Sequence, residues 1–422
     1  MKRSRKTEAF PYKTTAAAVR YPVAAARSFP WLLAMLPVTL FQLLSFASVL
    51  LRTAEQEPPE PGLLLAFLCY LPAEWLFLCC LRFFAGQRSL APEVMALWLT
   101  GISIALCGSI SAEYAWKQAA AAGGGMLLYA ILLFVTHNPD RAMALRPAVA
   151  FGAVALLAGN LALAQITNGT RNWIHIGGFS LQPSELVKLA FIFVGAATLE
   201  RLQRTRSITR YLVFAMVCVA ALFLMRDFGA ALLFFVVFLL IAFLRSGDLR
   251  AIALVCAAAL MAAALVLLFR PYVVDRFRSF RHIWETPYGK GFQQTRMLIY
   301  ASGGGLLGLG PGNGKLKDVP AASTDLAFGM LCEEWGMVIA FLVPLCYLGM
   351  AIYALRGARG ARSSFYSIAA VSAAGLLLFQ AALNIFGSTD LLPMTGVTLP
   401  FISRGGSSML CVWGLLAFMK PR

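Results

Sequence analysis

The chain has 422 residues, of which 60% are hydrophobic and 13% are charged, and its formal net charge is +17. Its mean hydropathy of +0.75 excludes an ordinary soluble domain, because a globule of this size needs more polar surface than these residues can supply. Apolar runs recur along nearly the whole length, so we predict one integral-membrane domain and no separate soluble domain.

The apolar runs predict an all-α fold, a polytopic transmembrane helical bundle of about twelve spans, because a helix needs roughly 20 apolar residues to cross hydrocarbon. The predicted spans lie near 29–51, 63–84, 91–111, 118–136, 146–166, 183–200, 209–225, 228–244, 250–269, 325–353, 364–386 and 397–419. A basic segment at 1–28 precedes two N-terminal spans within 29–90, and the rest of the domain covers 91–422. The first span is too long for a signal-peptide core and no clear cleavage site follows it, so we expect it to stay attached.

Basic residues concentrate in short loops that fall on one side of the membrane if every span crosses. They lie in the N-terminal segment and at Arg88, Arg141, Arg146, 201–210, Arg245, Arg250, Arg356, Arg359 and Arg362. The positive-inside rule therefore predicts cytoplasmic N- and C-termini, with the loops 167–182 and 270–324 facing outward. The positive net charge is therefore explained by the retention of basic residues in cytoplasmic loops. We expect contact with membrane lipid and no nucleic-acid partner.

All nine cysteines lie within apolar runs, and none has zinc-ligand spacing with the three histidines of the chain. They are typical of small residues that pack between helices, so neither a disulfide framework nor a metal site is predicted. No cofactor is predicted with certainty: a divalent cation is compatible with the sequence, but no site for one is visible in it.

The outward loop 167–182 and the span after it carry polar residues that are unusual at a membrane boundary. Glu185 and Lys188 stand three apart on one face of the predicted helix, where they can form an ion pair. The structural alternative is a helix-capping element with an interfacial Trp anchor. Ionisable residues at this depth are costly and usually line a cavity, which favours a binding site. The candidate residues are Arg171, Trp173, Gln182, Glu185 and Lys188.

The long loop 270–324 combines arginines, glutamines and a glycine-rich stretch. Guanidinium groups match the geometry of a pyrophosphate, although a solvated loop explains the same arginines equally well. The glycines lack the strand–turn–helix context of a nucleotide-binding fingerprint, and they suit tight turns or a close approach of backbone to a ligand. The candidate residues are Arg276, Gln294, Arg296, Ser302, Gly303 and Gly304.

Thr324 and Asp325 lie where the long loop meets the next apolar run. A carboxylate at the mouth of a helix bundle can act as a general base. It can equally act as a helix N-cap, for which Asp is a preferred residue. Glu333 and Glu334 follow two turns deeper, too far along the helix for a glycosidase-type pair with Asp325. Spacing alone leaves both roles of Asp325 open.

Several motifs occur together in a fixed order. Leu-Pro-Phe-Ile-Ser-Arg-Gly-Gly-Ser-Ser lies at 399–408, and Arg-Asn-Trp-Ile at 171–174 is followed by Gln-Pro-Ser-Glu-Leu-Val-Lys at 182–188. The chain also contains Trp-Lys-Gln at 116–118, Asp-Phe-Gly at 227–229 and Thr324-Asp325. All these motifs follow one another in the order found in one protein family. On these motifs the chain resembles, over roughly residues 91–419, the SEDS family of shape, elongation, division and sporulation proteins, which includes FtsW, RodA and SpoVE.

The resemblance implies a ten-span core to which this chain adds two N-terminal spans, which we expect to serve docking or stability, with Glu74 facing protein. It also implies a peptidoglycan glycosyltransferase of the bacterial cytoplasmic membrane that acts on lipid II and a nascent glycan strand, together with a class B penicillin-binding protein. The essential aspartate of the family corresponds to Asp325. The chain departs from the family at Ala321 and Ser323, where Glu and His are usual, and at Arg226, where Pro is usual.

Such a transferase needs a base near the attacking sugar hydroxyl and cations near the departing pyrophosphate. Asp325 can supply the base, and the candidate cations are Lys117, Arg171, Lys188, Arg276 and Arg296. Two rival classes fit the same basic, many-spanned sequence: a flippase or transporter of the lipid-linked precursor, and a non-enzymatic scaffold of the crosslinking enzyme. Roles in cell division, elongation or sporulation are all consistent with the resemblance.

Overall fold

Helices make up most of the chain, because a backbone in hydrocarbon must satisfy its N–H and C=O groups within each spanning segment. The computed structural model describes residues 30–56, 61–87, 89–167, 170–176, 179–199, 205–246 and 280–420, with isolated positions between 249 and 261. Its helices are α1 (Trp31–Gln56), α2 (Pro61–Phe83), α3 (Ala91–Gly108), α4 (Ala112–Val135), α5 (Pro139–Leu163), α6 (Pro183–Leu199), α7 (Thr205–Leu224), α8 (Phe228–Ser246), α9 (Phe292–Gly303), α10 (Ala327–Arg359), α11 (Ser364–Ser388) and α12 (Gly406–Phe418).

Eight helices in the described ranges are long and apolar enough to cross a membrane: α1 to α5, α8, α10 and α11. The multi-span helical architecture is confirmed, whereas the predicted count of about twelve exceeds the spans found in this part of the chain. The span predicted at 397–419 is shorter as a helix, because Pro400 and Gly405 precede an α12 that begins only at Gly406. The span predicted at 250–269 and the segment 1–28 lie outside the described residues, apart from isolated positions.

A small antiparallel sheet joins α5 to α6, where the sequence predicted a loop in an all-α fold. Its strands are β1 (Gln165–Thr167), β2 (Thr170–Ile176) and β3 (Phe179–Leu181), in the order β1-β2-β3. Trp173 pairs with Gln165, and Ile174 pairs with Leu181. The all-α prediction missed the sheet because two of its strands have only three residues, too few for an alternating pattern to stand out.

Of the long outward loop predicted at 270–324, residues 280–324 are folded, and residues 270–279 lie outside the described residues. Two short 3₁₀ turns, Ile283–Glu285 and Leu316–Asp318, lie before and after α9. The glycine-rich stretch after α9 packs against α10, which is interrupted at Gly336, where φ is 79° and ψ is 172°. The loop is therefore attached to the helix bundle.

The two N-terminal helices pack on α3 and α4. The Gln42 amide donates to Glu74 Oε2 at 3.0 Å and to the Leu97 carbonyl at 3.1 Å, and Glu74 is fully buried. Glu74 therefore faces protein, as predicted. Helix α1 also reaches the outer loop, since Ser48 Oγ donates to the Pro311 carbonyl at 2.9 Å.

Helix α12 lies in the centre of the bundle, against α4 and α6. Gly125 of α4 and Gly414 of α12 make this approach possible, because an added Cβ would lie 2.7 Å from Trp413 and 2.6 Å from Leu189, respectively. At the opposite end from the outer loop, Lys420 forms a buried ion pair with Glu93 at 2.7 Å.

Candidate functional site

Asp325 lies two residues before Ala327, the first residue of α10, and its side chain is half-buried. Leu326 occupies the N-cap position of that helix, and no side chain forms a cap hydrogen bond there. Asp325 thus lies one residue before the position that the capping alternative requires. The carboxylate lies at the end of the bundle that carries the outer loop.

The segment 391–405, which connects α11 to α12, forms one wall beside Asp325. Asn384 of α11 donates from Nδ2 to the Asp325 carbonyl at 3.2 Å and to the Val397 carbonyl at 2.8 Å. Gly396 has φ of 74°, and a Cβ at this position would lie 3.8 Å from Asp325 Oδ2. A glycine here lets the backbone turn beside the carboxylate without covering it.

The same segment holds the two residues before Asp325. Ser403 Oγ donates to the Thr324 carbonyl in a short hydrogen bond, and the Arg404 backbone N–H donates to the Ser323 carbonyl at 2.7 Å. Thr324 Oγ1 donates locally to the Ala321 carbonyl at 3.2 Å. The Leu-Pro-Phe-Ile-Ser-Arg-Gly-Gly-Ser-Ser motif at 399–408 therefore binds the backbone directly before Asp325.

A chain of buried polar groups leads from α6 to this wall. Lys188 Nζ lies 2.7 Å from Glu185 Oε1 and 3.0 Å from Gln380 Oε1, so the predicted ion pair is present. Gln380 in turn donates to the Thr398 carbonyl at 3.0 Å, and the hydroxyls of Thr398 and Ser408 lie 2.7 Å apart. Lys188, Gln380, Thr398 and Ser408 each have a partner here, as burial in a low-dielectric interior demands, whereas Glu185 Oε2 is buried without a hydrogen bond among the described residues.

Asp227, between α7 and α8, joins three elements. Its Oδ2 accepts hydrogen bonds from Asn172 of β2 and from the Gln182 side chain, both at 3.1 Å, and its Oδ1 accepts one from the Ala230 N–H at 3.0 Å. The Gln182 N–H donates to Ser407 Oγ at 3.2 Å. Asp227 therefore connects the small sheet to the start of α12.

A further wall comes from the outer end of α4. Gln118 donates to the Ser403 carbonyl at 3.3 Å and accepts from the Gly405 N–H at 3.2 Å. The Arg404 guanidinium lies 3.8 Å from the centre of the Tyr114 ring, within cation–π range. These contacts hold a half-buried cation beside the segment that carries Asp325.

Two predicted residues lie next to this cluster without entering the hydrogen bonds around Asp325. Lys117 forms an ion pair with Glu113 on its own helix, one residue before Gln118. Gln294 donates to the Gly387 carbonyl at 2.8 Å and so ties α9 to the end of α11.

Other predicted residues lie elsewhere. The Ser302 hydroxyl donates to the Ile299 carbonyl at 2.8 Å within α9, and Gly303 is exposed. A Cβ on Gly304 would lie 2.2 Å from the Cys332 carbonyl oxygen of α10. The Arg296 guanidinium lies 5.5 Å from the Phe292 ring centre. These residues pack within the loop and against α10, and their substrate contacts stay predictions.

Three aromatic and basic candidates belong to the sheet and the long loop. Trp173 is half-buried in β2, and Arg171 is part of the same strand. The Arg171 side chain and the whole of Arg276 lie outside the described residues.

Several polar residues of the cluster were not among the predicted site residues. They are Gln118, Asn172, Asp227, Gln380, Asn384 and Arg404. Gln380 and Asn384 could have been found, because two amides four residues apart in an apolar span are costly unless they bind something. Asp227 lies in a short connection, and its partners are 45 and 55 residues away in the chain.

Within the described ranges, no group of three or more His, Cys, Asp or Glu side chains is arranged to hold a metal ion.

A family model for cell cycle proteins of the FtsW, RodA and SpoVE type matches residues 90–420. A probable peptidoglycan glycosyltransferase FtsW from Tolumonas auensis is 34% identical over 278 residues, which cover 64% of this chain and 72% of that protein. Stage V sporulation protein E from Bacillus subtilis is 33% identical over 251 residues, which cover 58% of this chain and 69% of that protein.

Solved structures have the same fold. The rod shape determining protein RodA from Thermus thermophilus superposes with a TM-score of 0.59 at 23% identity, covering 78% of this chain and 94% of that one. A chain from a peptidoglycan synthase complex gives a TM-score of 0.65 at 24% identity, covering 78% and 95%. Since the family model covers well over half of its length, this multi-pass membrane chain belongs to the FtsW/RodA/SpoVE family, the SEDS family.

Proposed function

We propose that this protein is a peptidoglycan glycosyltransferase of the bacterial cytoplasmic membrane, which transfers the growing glycan from undecaprenyl pyrophosphate onto the 4-hydroxyl of lipid II. Relatives that carry this activity in their names support the reaction class. The observation that carries the proposal is the half-buried Asp325 carboxylate, whose backbone is held by Asn384 and by the segment 391–405.

Asp325 acts as the general base in this proposal. The sugar 4-hydroxyl of lipid II attacks the anomeric carbon of the growing chain, and its proton passes to the Asp325 carboxylate. The new glycosidic bond forms as the bond to the pyrophosphate oxygen breaks, so the configuration inverts and undecaprenyl pyrophosphate leaves. One displacement needs no covalent enzyme intermediate.

The leaving pyrophosphate requires cations, since charge develops on its oxygen as the bond breaks. Arg404 and Lys117 suit this role, because Arg404 belongs to the segment beside Asp325, Lys117 precedes Gln118 on α4, and both are half-buried. Lys188 is less suitable, since its ammonium group is buried between Glu185 and Gln380, whereas the ion pair of Lys117 with Glu113 is open to solvent. We therefore assign the pyrophosphate contact to Arg404 and Lys117.

The proposal also includes the orientation of the protein in the membrane and its protein partner. Basic loops at the opposite end of the bundle favour cytoplasmic termini, which puts Asp325 at the outer face. A structural neighbour comes from a peptidoglycan synthase complex that couples polymerisation to crosslinking. We propose a class B penicillin-binding protein as the partner that crosslinks the new strands.

The test uses purified protein and lipid II, with and without the partner transpeptidase. Asp325→Asn keeps the size of the side chain but removes the proton acceptor, so polymer formation should fall by about 10²–10⁴-fold. Asp318→Asn is the matched control, because this exposed carboxylate lies in the same outer loop. The control should polymerise at the parent rate.

The alternatives give different results in the same assay. A flippase would move lipid II across proteoliposomes without polymerising it, and a scaffold would stimulate its partner without a polymerase activity of its own. Polymerisation by Asp325→Asn at the parent rate would refute the assignment of the base.

A further inference from the structure

The interruption of α10 at Gly336 is closed by backbone from the outer loop. The N–H groups of Met337 and Val338 donate to the carbonyls of Gly305 and Leu306, at 3.0 and 3.2 Å. In the other direction, the Leu309 N–H donates to the Glu333 carbonyl at 2.9 Å. Residues 304–310 thus supply the partners that the interrupted helix lacks.

Glycines make this backbone contact close. A Cβ on Gly308 would lie 2.3 Å from the Glu334 carbonyl oxygen, and a Cβ on Gly336 would lie 2.4 Å from the Gly308 nitrogen. Irregular backbone is tolerated at membrane depth only where its polar groups are satisfied by protein. The loop meets this condition along the segment that touches α10.

The length of α10 indicates the depth of the contact. The helix has 33 residues, about 50 Å at 1.5 Å per residue, whereas the hydrocarbon core is about 30 Å thick. Arg356 and Arg359 mark its basic end. About 20 residues from Arg356 reach Gly336, so the interruption falls near the outer boundary of the hydrocarbon.

Apolar side chains are exposed on both sides of this contact. Leu306 and Leu307 are 71% and 85% exposed, although they belong to a loop. The neighbouring exposed face of α10 carries Met337, Val338 and Phe341, and it continues toward the basic end through Leu345 and Leu348. A face of this kind on a spanning helix borders lipid, and the two loop leucines extend it outward.

We propose that Leu306 and Leu307 insert into the outer leaflet, so that the loop after α9 is a membrane contact held at acyl-chain depth. The occupant of this surface is lipid, because the leucines continue the lipid-facing side of α10 and the loop backbone between them is satisfied by that helix. The loop leads through residues 315–324 to Asp325, so the contact would set the height of the base above the bilayer. That consequence rests on the proposed function, whereas the membrane contact does not.

Spin-label accessibility in lipid nanodiscs tests the contact without any activity measurement. Leu307→Cys is labelled in a Cys69→Ser background, and the signal of the background alone is subtracted, because Cys69 is exposed. A label in acyl chains collides more with oxygen than with a water-soluble nickel chelate. Leu345→Cys on α10 is the lipid reference, and Asp318→Cys in the outer loop is the water reference.

The label at 307 should have an oxygen-to-nickel collision ratio several-fold above that at 318 and below that at 345, because Leu345 lies deeper in the hydrocarbon than the interruption at Gly336. A ratio equal to that at 318 would overturn the proposal. Nickel access at 307 that disappears only when a transpeptidase is added would also overturn it, in favour of protein docking. Neither result depends on whether Asp325 is the base.

Discussion

Lys188 shows how a charge can be kept in the interior of this bundle. Its ammonium group is buried but has two oxygen partners, Glu185 at 2.7 Å and Gln380 at 3.0 Å. Removing one member of a buried ion pair leaves the other charge uncompensated, which costs more than removing both. The ion pair, together with Gln380 of α11, therefore stabilises the packing of α6 against α11.

Lys188→Met is expected to destabilise the protein by about 3–5 kcal/mol, because Glu185 would remain buried without its cation. Glu185→Gln combined with Lys188→Met should cost less, since no unpaired charge is left. Thermal unfolding midpoints in detergent for the two single variants and the double variant measure the difference. A double variant less stable than Lys188→Met would contradict this account.

At the scale of elements, two glutamates of α10 order the glycine-rich loop. Glu333 accepts hydrogen bonds from the N–H groups of Lys315 and Leu316 at 2.8 and 2.9 Å. Glu334 accepts one from the Gly312 N–H at 2.9 Å and one from Ser109 Oγ at 3.0 Å. The loop amides thus bind carboxylates of the chain itself, which explains a glycine-rich stretch without a nucleotide.

Gly336→Ala should be strongly destabilising. A φ of 79° with a ψ of 172° is a conformation essentially restricted to glycine, at a cost of about 1–3 kcal/mol for other residues. The added Cβ would also lie 2.4 Å from the Leu306 carbonyl oxygen. We expect a lower unfolding midpoint and reduced polymer formation in the assay with lipid II.

Gly303→Ala is the control for that substitution. This glycine is exposed, and a Cβ there would have no atom within 4 Å. Its unfolding midpoint should stay at the parent value. Equal midpoints for Gly336→Ala and the parent would show that the contact between loop and helix contributes nothing to stability.

At the scale of the whole molecule, the two ends of the bundle differ in their chemistry. The end with the outer loop holds Asp325 and the polar cluster, whereas the opposite end holds Arg356, Arg359 and the Glu93–Lys420 pair. This asymmetry matches the charge distribution expected across a bacterial cytoplasmic membrane.

Cysteine labelling in cells tests the orientation. Single cysteines at 205 and 359 should react with an impermeant maleimide only after permeabilisation, and one at 285 should react in intact cells, because basic loops stay inside. Reaction at 285 only after permeabilisation would reverse the topology and exclude an external site.

The features that could be predicted from the sequence are those that depend on residues close together in the chain. The apolar runs predicted spanning helices because hydrocarbon acts on each segment of about 20 residues by itself. The ion pair of Glu185 and Lys188 could be predicted because residues three apart share a helix face. The motif at 399–408 could be recognised because its residues are contiguous.

Only the tertiary structure decided which distant groups meet. Asp227 binds Asn172 and Gln182, and Asn384 binds the backbone at Asp325, across separations of 45 to 59 residues. The packing of Gly304 against α10 is also visible only in the tertiary structure, and its contact with substrate stays a prediction. A glycine has the same local signature beside a ligand or beside a helix, because both uses exploit its missing Cβ, and only long-range packing distinguishes them.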